Sequence, residues 1–235
     1  MATSLTDDQI RARIDELDRD LGWYQNIDLG RGISTKSRQV WGEDLDHPRR
    51  RWGYIEHAVP TDFSGMSVLD VGCNAGFISF EAADRGATDV VGVELKSGYV
   101  EQARFCAEVR DQPVDFREMS VYDVAQLDRT FDFVFFVGLL YHCRYIERAV
   151  EAVAAVAADT VLCESAIHPD DSEIPLVRHI DRTQYEGPHA AGAARLPGNW
   201  HPNMAAMASL FREQGFASVE PVFRDGGRGA VIARR

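Results

Sequence analysis

The stretch SVLDVGCNAGFISF, residues 67–80, decides the fold. SVLDV has the apolar character of a buried strand, and FISFEAADRG that of a helix closed by Gly86. The strand carries Asp70 near its end, and two glycines, Gly72 and Gly76, then stand on either side of three residues. A loop that only had to turn would need no carboxylate, so this junction points to a ligand. Downstream the same texture repeats. DVVGVEL, PVDFREM, FDFVFFVGLL and TVLCESAI read as strands two to five. SGYVEQARFCAEVR, with Val100, Ala103, Phe105 and Val109 inward, and YIERAVEAVAAVA read as helices. Strands separated by helices of this length predict a parallel sheet covered on both faces, joined by right-handed crossovers. NMAAMASLFREQG follows as a helix, with Asn203 as N-cap, Met204, Met207, Leu210 and Phe211 inward, and Gly215 past its end. The last strands, FASVEPVF and RGAVIA, are separated by RDGG alone. So short a link fits a hairpin and excludes a crossover helix, so this pair is predicted antiparallel.

The flanks add to this α/β core. TDDQIRARIDELDRDL predicts a docked helix: Thr6 and Gln9 have capping-box spacing, and Ile10, Ile14, Leu17 and Leu21 form one apolar stripe. Residues 22–64 show little periodicity, and a long irregular stretch in a compact chain is more often functional than idle. Residues 1–64 are therefore read as an N-terminal helix and gate, and 65–235 as the core. Four prolines (169, 175, 188 and 197) mark an insertion at about 168–200, read as a loop or small lid after strand five.

Composition excludes several classes. The 235 residues carry 25 Lys and Arg against 37 Asp and Glu, a formal charge of −12, which argues against a large phosphate-binding surface. HPRRRWG (47–53) is the candidate basic patch, and adjacent arginines are usually a solvated face. No apolar run approaches a membrane span of about 20 residues, and MATSLTDDQI lacks the basic and apolar regions of a signal peptide. Cys73, Cys106, Cys143 and Cys163 lie far apart without a CxxC pair, as expected of a reduced, cytoplasmic protein.

The loop GCNAG does not match the dinucleotide fingerprint GxGxxG: its glycines are four apart and an acid precedes them. A phosphate prefers free N–H donors at a helix N-terminus with no carboxylate nearby. An acid favours a ligand with a positive group. The run Asp70-Val71-Gly72-Cys73-Asn74-Ala75-Gly76 resembles the first motif of class I S-adenosylmethionine-dependent methyltransferases, acid-x-Gly-x-Gly-x-Gly. Asn74 replaces the middle glycine, and Asn tolerates left-handed backbone better than most residues.

The resemblance implies a Rossmann-like seven-stranded methyltransferase sheet with an antiparallel last strand, an N-terminal helical cap and a lid after strand five. It implies S-adenosyl-L-methionine as cofactor and S-adenosyl-L-homocysteine as product. By this resemblance Asp70 helps hold the cofactor's amino group, and Gly72, Cys73, Asn74, Gly76 and Phe77 wrap its methionine part. Glu94, roughly twenty residues past the glycines, would accept the ribose hydroxyls. Leu95 would lie against adenine, with Ser120 and Val121 of MSVYDV at its edge. Val137 and Gly138, ending strand four, complete the set.

The run GLLYH, with WYQNIDLG upstream and NWHPNMAAMASLFREQGF downstream, resembles the branch holding the tRNA wobble-uridine carboxymethyltransferase and its small-molecule relatives. For methyl transfer the nucleophile must carry a lone pair, so a base near the end of strand four is useful. His142 is the candidate, because an ordinary imidazole titrates near neutral pH; a structural histidine is the alternative. Tyr141 would line the methyl-transfer channel or pack beneath the loop. Glu164 would suit an amine or guanidine acceptor if it faced a pocket. Tyr24, Glu164, His168, Trp200 and His201 are the candidate substrate contacts, and Trp23, Tyr24, Trp200 and His201 would form a gate and lid excluding water, or simply pack. HPDD (168–171) raises a metal, but adjacent acids point apart on most backbones, so no metal site is expected.

The sequence thus predicts methylation of an O or N atom of a small molecule, such as a sugar or specialised-metabolite intermediate. The acidic chain disfavours nucleic acid, no membrane partner is expected, and a homodimer is left open. The alternatives are a tRNA-modifying enzyme with the same type of cofactor, a nicotinamide oxidoreductase disfavoured by the loop spacing, and a cofactor-binding module without catalysis.

Overall fold

The computed structural model describes residues 3–19, 21–35, 46–180 and 199–235. Two compact units divide at Val121/Tyr122. In the first, α1 (Asp7–Leu17) starts at a complete capping box: Thr6 Oγ1 accepts from Gln9 N–H, and Thr6 N–H donates to the Gln9 side chain at 2.8 Å. Ile10 and Ile14 are buried as the periodicity requires, but the helix stops at Leu17 and Leu21 is 41% exposed. Trp23, 1% exposed, locks the turn that follows: its Nε1–H donates to the Ile14 carbonyl at 2.9 Å. The stretch expected to be irregular holds a bridge between Asp28 and Ser34 and a helix, α2 (His47–Ile55).

Strands β1 (Ser67–Val71), β2 (Asp89–Glu94) and β3 (Val114–Glu118) run parallel, with helices α3 (Phe77–Asp84) and α4 (Ser97–Arg110) as the crossovers. Register places Asp70 opposite Gly92, and Glu94 opposite Glu118. Phe116, 2% exposed, fills the space beneath the first loop. A Cβ on Gly92 would stand 2.5 Å from its ring, and one on Gly76 (φ +93°) 2.6 Å. These two glycines exist so that one phenylalanine can pack against both strand and loop.

In the second unit β4 (Phe131–Val137) and β5 (Ala157–Ala166) are parallel and joined by α5 (Ile146–Val156). β6 (Val177–Ile180) and β7 (Asn199–Pro202) form a separate antiparallel ribbon, where the sequence suggested a loop or lid. The part of that insertion over residues 181–198 lies outside the described residues. Asn203 caps α6 (Met204–Glu213) by accepting from Ala206 N–H at 2.8 Å. β8 (Ser218–Asp225) and β9 (Arg228–Arg234) close as the expected hairpin, and β9 is antiparallel to β5. The strand order is β3-β2-β1-β4-β5-β9-β8. Among the described residues no helix is long and apolar enough to cross a membrane.

Candidate active site

In the first unit the loop after β1 is tied down amide by amide. Gly72 and Cys73 N–H donate to the Val93 carbonyl at 2.8 and 3.0 Å. Asn74 sits at φ +53°, its N–H donating to Glu94 Oε2 at 3.2 Å. Ala75 N–H donates to the Asn74 side chain at 2.8 Å, and Gly76 N–H to the Cys73 carbonyl at 2.9 Å. Phe77 N–H, the first of α3, donates to Gln25 Oε1 at 3.0 Å, and Ser79 N–H to Asp70 Oδ2 at 3.0 Å. A phosphate cradle needs such donors free; here side-chain and carbonyl oxygens consume them. Two carboxylates border the loop instead.

Asp70 is 2% exposed. Oδ2 takes both Ser79 donors, the hydroxyl at 2.7 Å, and Oδ1 has no hydrogen-bond donor among the described residues. Burial pushes this carboxyl up to about 7; the Ser79 bonds pull it down and the Glu94 charge adds to the rise. A buried acid with an open oxygen is suited to a cationic group. Glu94 Oε1 also accepts from Lys96 N–H at 3.0 Å, and Met119 N–H donates to the Glu94 carbonyl, which ties the ends of β2 and β3 together. Leu95 presents an apolar surface, 65% exposed, while Ser120 is half-buried and Val121 buried. Tyr99, unsuspected from sequence, bonds the Asn74 side chain, and burial and the Glu94 charge raise its phenol above the ordinary value. Tyr24 is half-buried, beside the buried Gln25. Burial, with Asp70 and Glu94, pushes the Cys73 thiol well up, so it is no nucleophile.

In the second unit Val137 pairs with Glu164 across β4 and β5, and Gly138 N–H donates to the Glu164 carbonyl at 2.9 Å. A 3-10 turn, Leu140–His142, then buries Tyr141 and exposes His142. Their ring centroids are 4.0 Å apart, and His201 meets the Tyr141 ring edge-on at 6.1 Å. Glu164, fully buried, faces a guanidinium of the chain itself: Arg228 Nε donates to Oε1 at 2.7 Å and Nη2 to Oε2 at 2.5 Å. The same guanidinium lies 5.1 Å from the Tyr141 ring centroid. Tyr141, His142, His201, Glu164 and Arg228 therefore form one cluster; Arg228 carried no sequence signal.

Two other candidates lie elsewhere in this unit. Trp200 stacks on His179 at 4.5 Å in the β6–β7 ribbon. His168 accepts Asp170 N–H on Nδ1 at 3.2 Å. Asp170 is taken by Ser172 N–H at 2.9 Å, and Asp171 pairs with Arg224. Among the described residues no group of three or more His, Cys, Asp or Glu could hold a metal ion. The arginine run lies on α2, where Arg49 covers the Phe77 ring at 5.5 Å and also pairs with Asp46 at 3.3 Å.

Residues 68–167 match the methyltransferase domain family. A tRNA U34 carboxymethyltransferase of Desulfotalea psychrophila is 24% identical over 192 residues, 77% of this chain and 55% of that protein. A ubiquinone biosynthesis O-methyltransferase of Rhizobium etli is 29% identical over 143 residues, 61% of this chain and 52% of that protein. The chain thus spans about half the length of these curated relatives. The N-terminal domain of EvdMO1, crystallised with S-adenosylhomocysteine bound and again in the presence of S-adenosylhomocysteine and D-fucose, superposes with TM-scores of 0.74 and 0.73. Those comparisons cover 98–100% of this chain and 97–99% of that domain at 22–23% identity. Residues 68–167 thus resemble a methyltransferase domain, and the strand order with its antiparallel end is that of the class I S-adenosylmethionine-dependent methyltransferase fold.

Proposed function

We propose that the protein transfers the methyl group of S-adenosylmethionine to a hydroxyl oxygen of a small, uncharged molecule such as a sugar or a specialised-metabolite intermediate. One observation carries the cofactor half: a glycine loop with its amides already engaged, bordered by Asp70 and Glu94. In this reading Asp70 Oδ1 receives the amino group, Glu94 the ribose hydroxyls, and Leu95, Ser120 and Val121 the adenine. Gly72, Cys73, Asn74, Gly76 and Phe77 shape the loop. The cofactor supplies an electrophilic methyl on a sulfonium; the protein supplies orientation and a proton acceptor.

His142 is the proposed base. It is exposed, it follows a buried tyrosine that fixes the turn, and His201 lies against the same ring. Glu164 is neutralised by Arg228, so an amine or guanidine would find no free carboxylate there, which favours an oxygen acceptor over nitrogen. The D-fucose present with the EvdMO1 domain supports a sugar. The net charge of −12 weighs against tRNA, which the likeness to the U34 enzyme keeps as the second reading.

The test is methyl release from radiolabelled S-adenosylmethionine to a panel of sugars and small hydroxylated metabolites, beside anisotropy titrations with labelled tRNA. Turnover on a small hydroxyl compound supports the proposal. Salt-sensitive tRNA binding with methyl incorporation into tRNA supports the second reading. A midpoint raised by NAD and unmoved by S-adenosylhomocysteine sinks both.

A further inference from the structure

We infer that Gln25 is a positioning residue of the cofactor site, holding the glycine loop in its ligand-receiving shape from an N-terminal segment. Its side chain, buried to 9% exposure, bridges the two ends of the loop. Oε1 accepts the N–H of Phe77 at 3.0 Å, and Nε2 donates to the carbonyl of Cys73 at 3.4 Å. This amide orientation is the one that matches an acceptor to the donor and a donor to the acceptor. The inference rests on reading this loop as the cofactor site.

The need for such a brace is local. An α-helix leaves its first N–H groups without partners, and Ser, Thr, Asp or Asn at the N-cap normally supplies an oxygen. Here the N-cap is Gly76, at φ +93°, with no side chain to offer, and Phe116 occupies the space that one would need. The missing cap comes from Gln25, 52 positions from the residue it serves. Gln25 is itself held. Its carbonyl accepts from Thr35 Oγ1 at 2.8 Å, and that hydroxyl accepts Ile27 N–H at 2.9 Å. Trp23, Ile27, Leu29 and Ile33 are each less than 5% exposed. The segment from Trp23 to Thr35 is thus a packed strut whose polar end is Gln25. Loss of that end orphans the buried Phe77 N–H and leaves the Cys73 carbonyl with Gly76 N–H as its remaining donor, in the loop that meets the ligand, so the cost falls on cofactor affinity as well as on stability.

Calorimetry with S-adenosylhomocysteine on the full chain tests this. Gln25→Ala raises the dissociation constant about tenfold, the scale expected for lost hydrogen bonds to buried groups, and raises KM for S-adenosylmethionine more than it lowers kcat. Gln25→Glu separates positioning from simple stability. An ionised carboxylate puts an oxygen against the Cys73 carbonyl, whereas the protonated acid offers one donor and one acceptor, as the amide does. The ratio of variant to parent dissociation constants therefore falls toward one as the pH is lowered from about 8 to about 5, burial favouring the protonated acid. Using the ratio cancels titration common to both proteins. Gln25→Ala binding within twofold of the parent, or a Gln25→Glu ratio that stays flat with pH, overturns the inference. If Gln25→Ala fails to fold, the pH profile of Gln25→Glu still decides. A well-folded parent that does not bind S-adenosylhomocysteine at all removes the reading of the loop itself, which is a distinguishable outcome.

Discussion

Asp70 and Ser79 join the end of strand β1 to the first turn of helix α3 through two hydrogen bonds on a single carboxylate oxygen, 2.7 Å from the hydroxyl and 3.0 Å from the backbone N–H. The acid that the sequence marks as a ligand contact is thus also a structural clamp. The proposed ligand contact and the clamp fit one side chain because Oδ2 makes the clamp and no donor among the described residues engages Oδ1.

The pH dependence of stability follows from that burial. The Asp70 carboxyl rises from its ordinary 3.8 to about 7, so between these values the folded chain binds a proton that the unfolded chain has released. Its contribution is full below about pH 4 and is lost as pH rises toward 7. Asp70→Asn removes this slope. Urea melts of parent and variant between pH 4 and 8 should differ by an amount that grows to a few kcal/mol by pH 7 and is then flat.

Ligand binding runs with the opposite sign. A cationic group beside Asp70 favours the ionised carboxylate, so S-adenosylhomocysteine should expel a proton when it binds below about pH 7. Affinity is expected to rise between pH 5 and 8 in the parent and to change little in Asp70→Asn. Calorimetry in buffers of different ionisation enthalpy checks the proton release directly.

Gly92 and Phe116 give a packing prediction. A methyl at position 92 would come within 2.5 Å of the Phe116 ring and 3.0 Å of Cys73 Sγ. Gly92→Ala should destabilise the protein by about 1–3 kcal/mol through overpacking. Phe116→Leu, made in the same chain, should recover part of that loss, and a double-mutant cycle by denaturant unfolding reads the coupling.

How much of this was legible in sequence depends on the range of the forces involved. The capping box at Thr6 and the cap at Asn203 were readable because their partners lie within a few residues, and the parallel strands because short apolar runs alternate with helix-length stretches. The hairpin of β8 and β9 was fixed by the shortness of RDGG. Leu21 continued the helical stripe in sequence, yet the helix ends at Leu17, short of it, and Gly22, φ +71°, turns the chain just after it. Gln25 and Arg228 left no pattern at all: one serves Phe77 from 52 positions away, the other Glu164 from 64. Glu164 itself was noticed, but a buried carboxylate does not announce which cation neutralises it. The β6–β7 ribbon was missed because two four-residue strands among prolines have too little alternation to register.

The Glu164–Arg228 pair should behave as a buried pair does. Arg228→Met leaves an uncompensated carboxylate at a fully buried position and should cost about 3–5 kcal/mol. Glu164→Leu combined with Arg228→Met should recover much of that stability while abolishing or reducing turnover, because the guanidinium also covers the Tyr141 ring. Thermal melts and methyl-transfer rates on the same three proteins separate the structural effect from the functional one.

His142 offers the cleanest split between chemistry and binding. It is exposed, on a turn fixed by the buried Tyr141 and by His142 N–H donating to the Leu139 carbonyl at 2.8 Å, which any side chain preserves. His142→Asn should leave the affinity for S-adenosylhomocysteine within about twofold of the parent, since the amides of the glycine loop engage other residues. If its imidazole takes the proton from the acceptor hydroxyl, kcat on the identified acceptor should fall by about 10²–10⁴ with KM for the cofactor unchanged. A fall of less than about threefold would reassign His142 to packing against Tyr141 and leave His201, which meets that ring edge-on, as the next residue to replace.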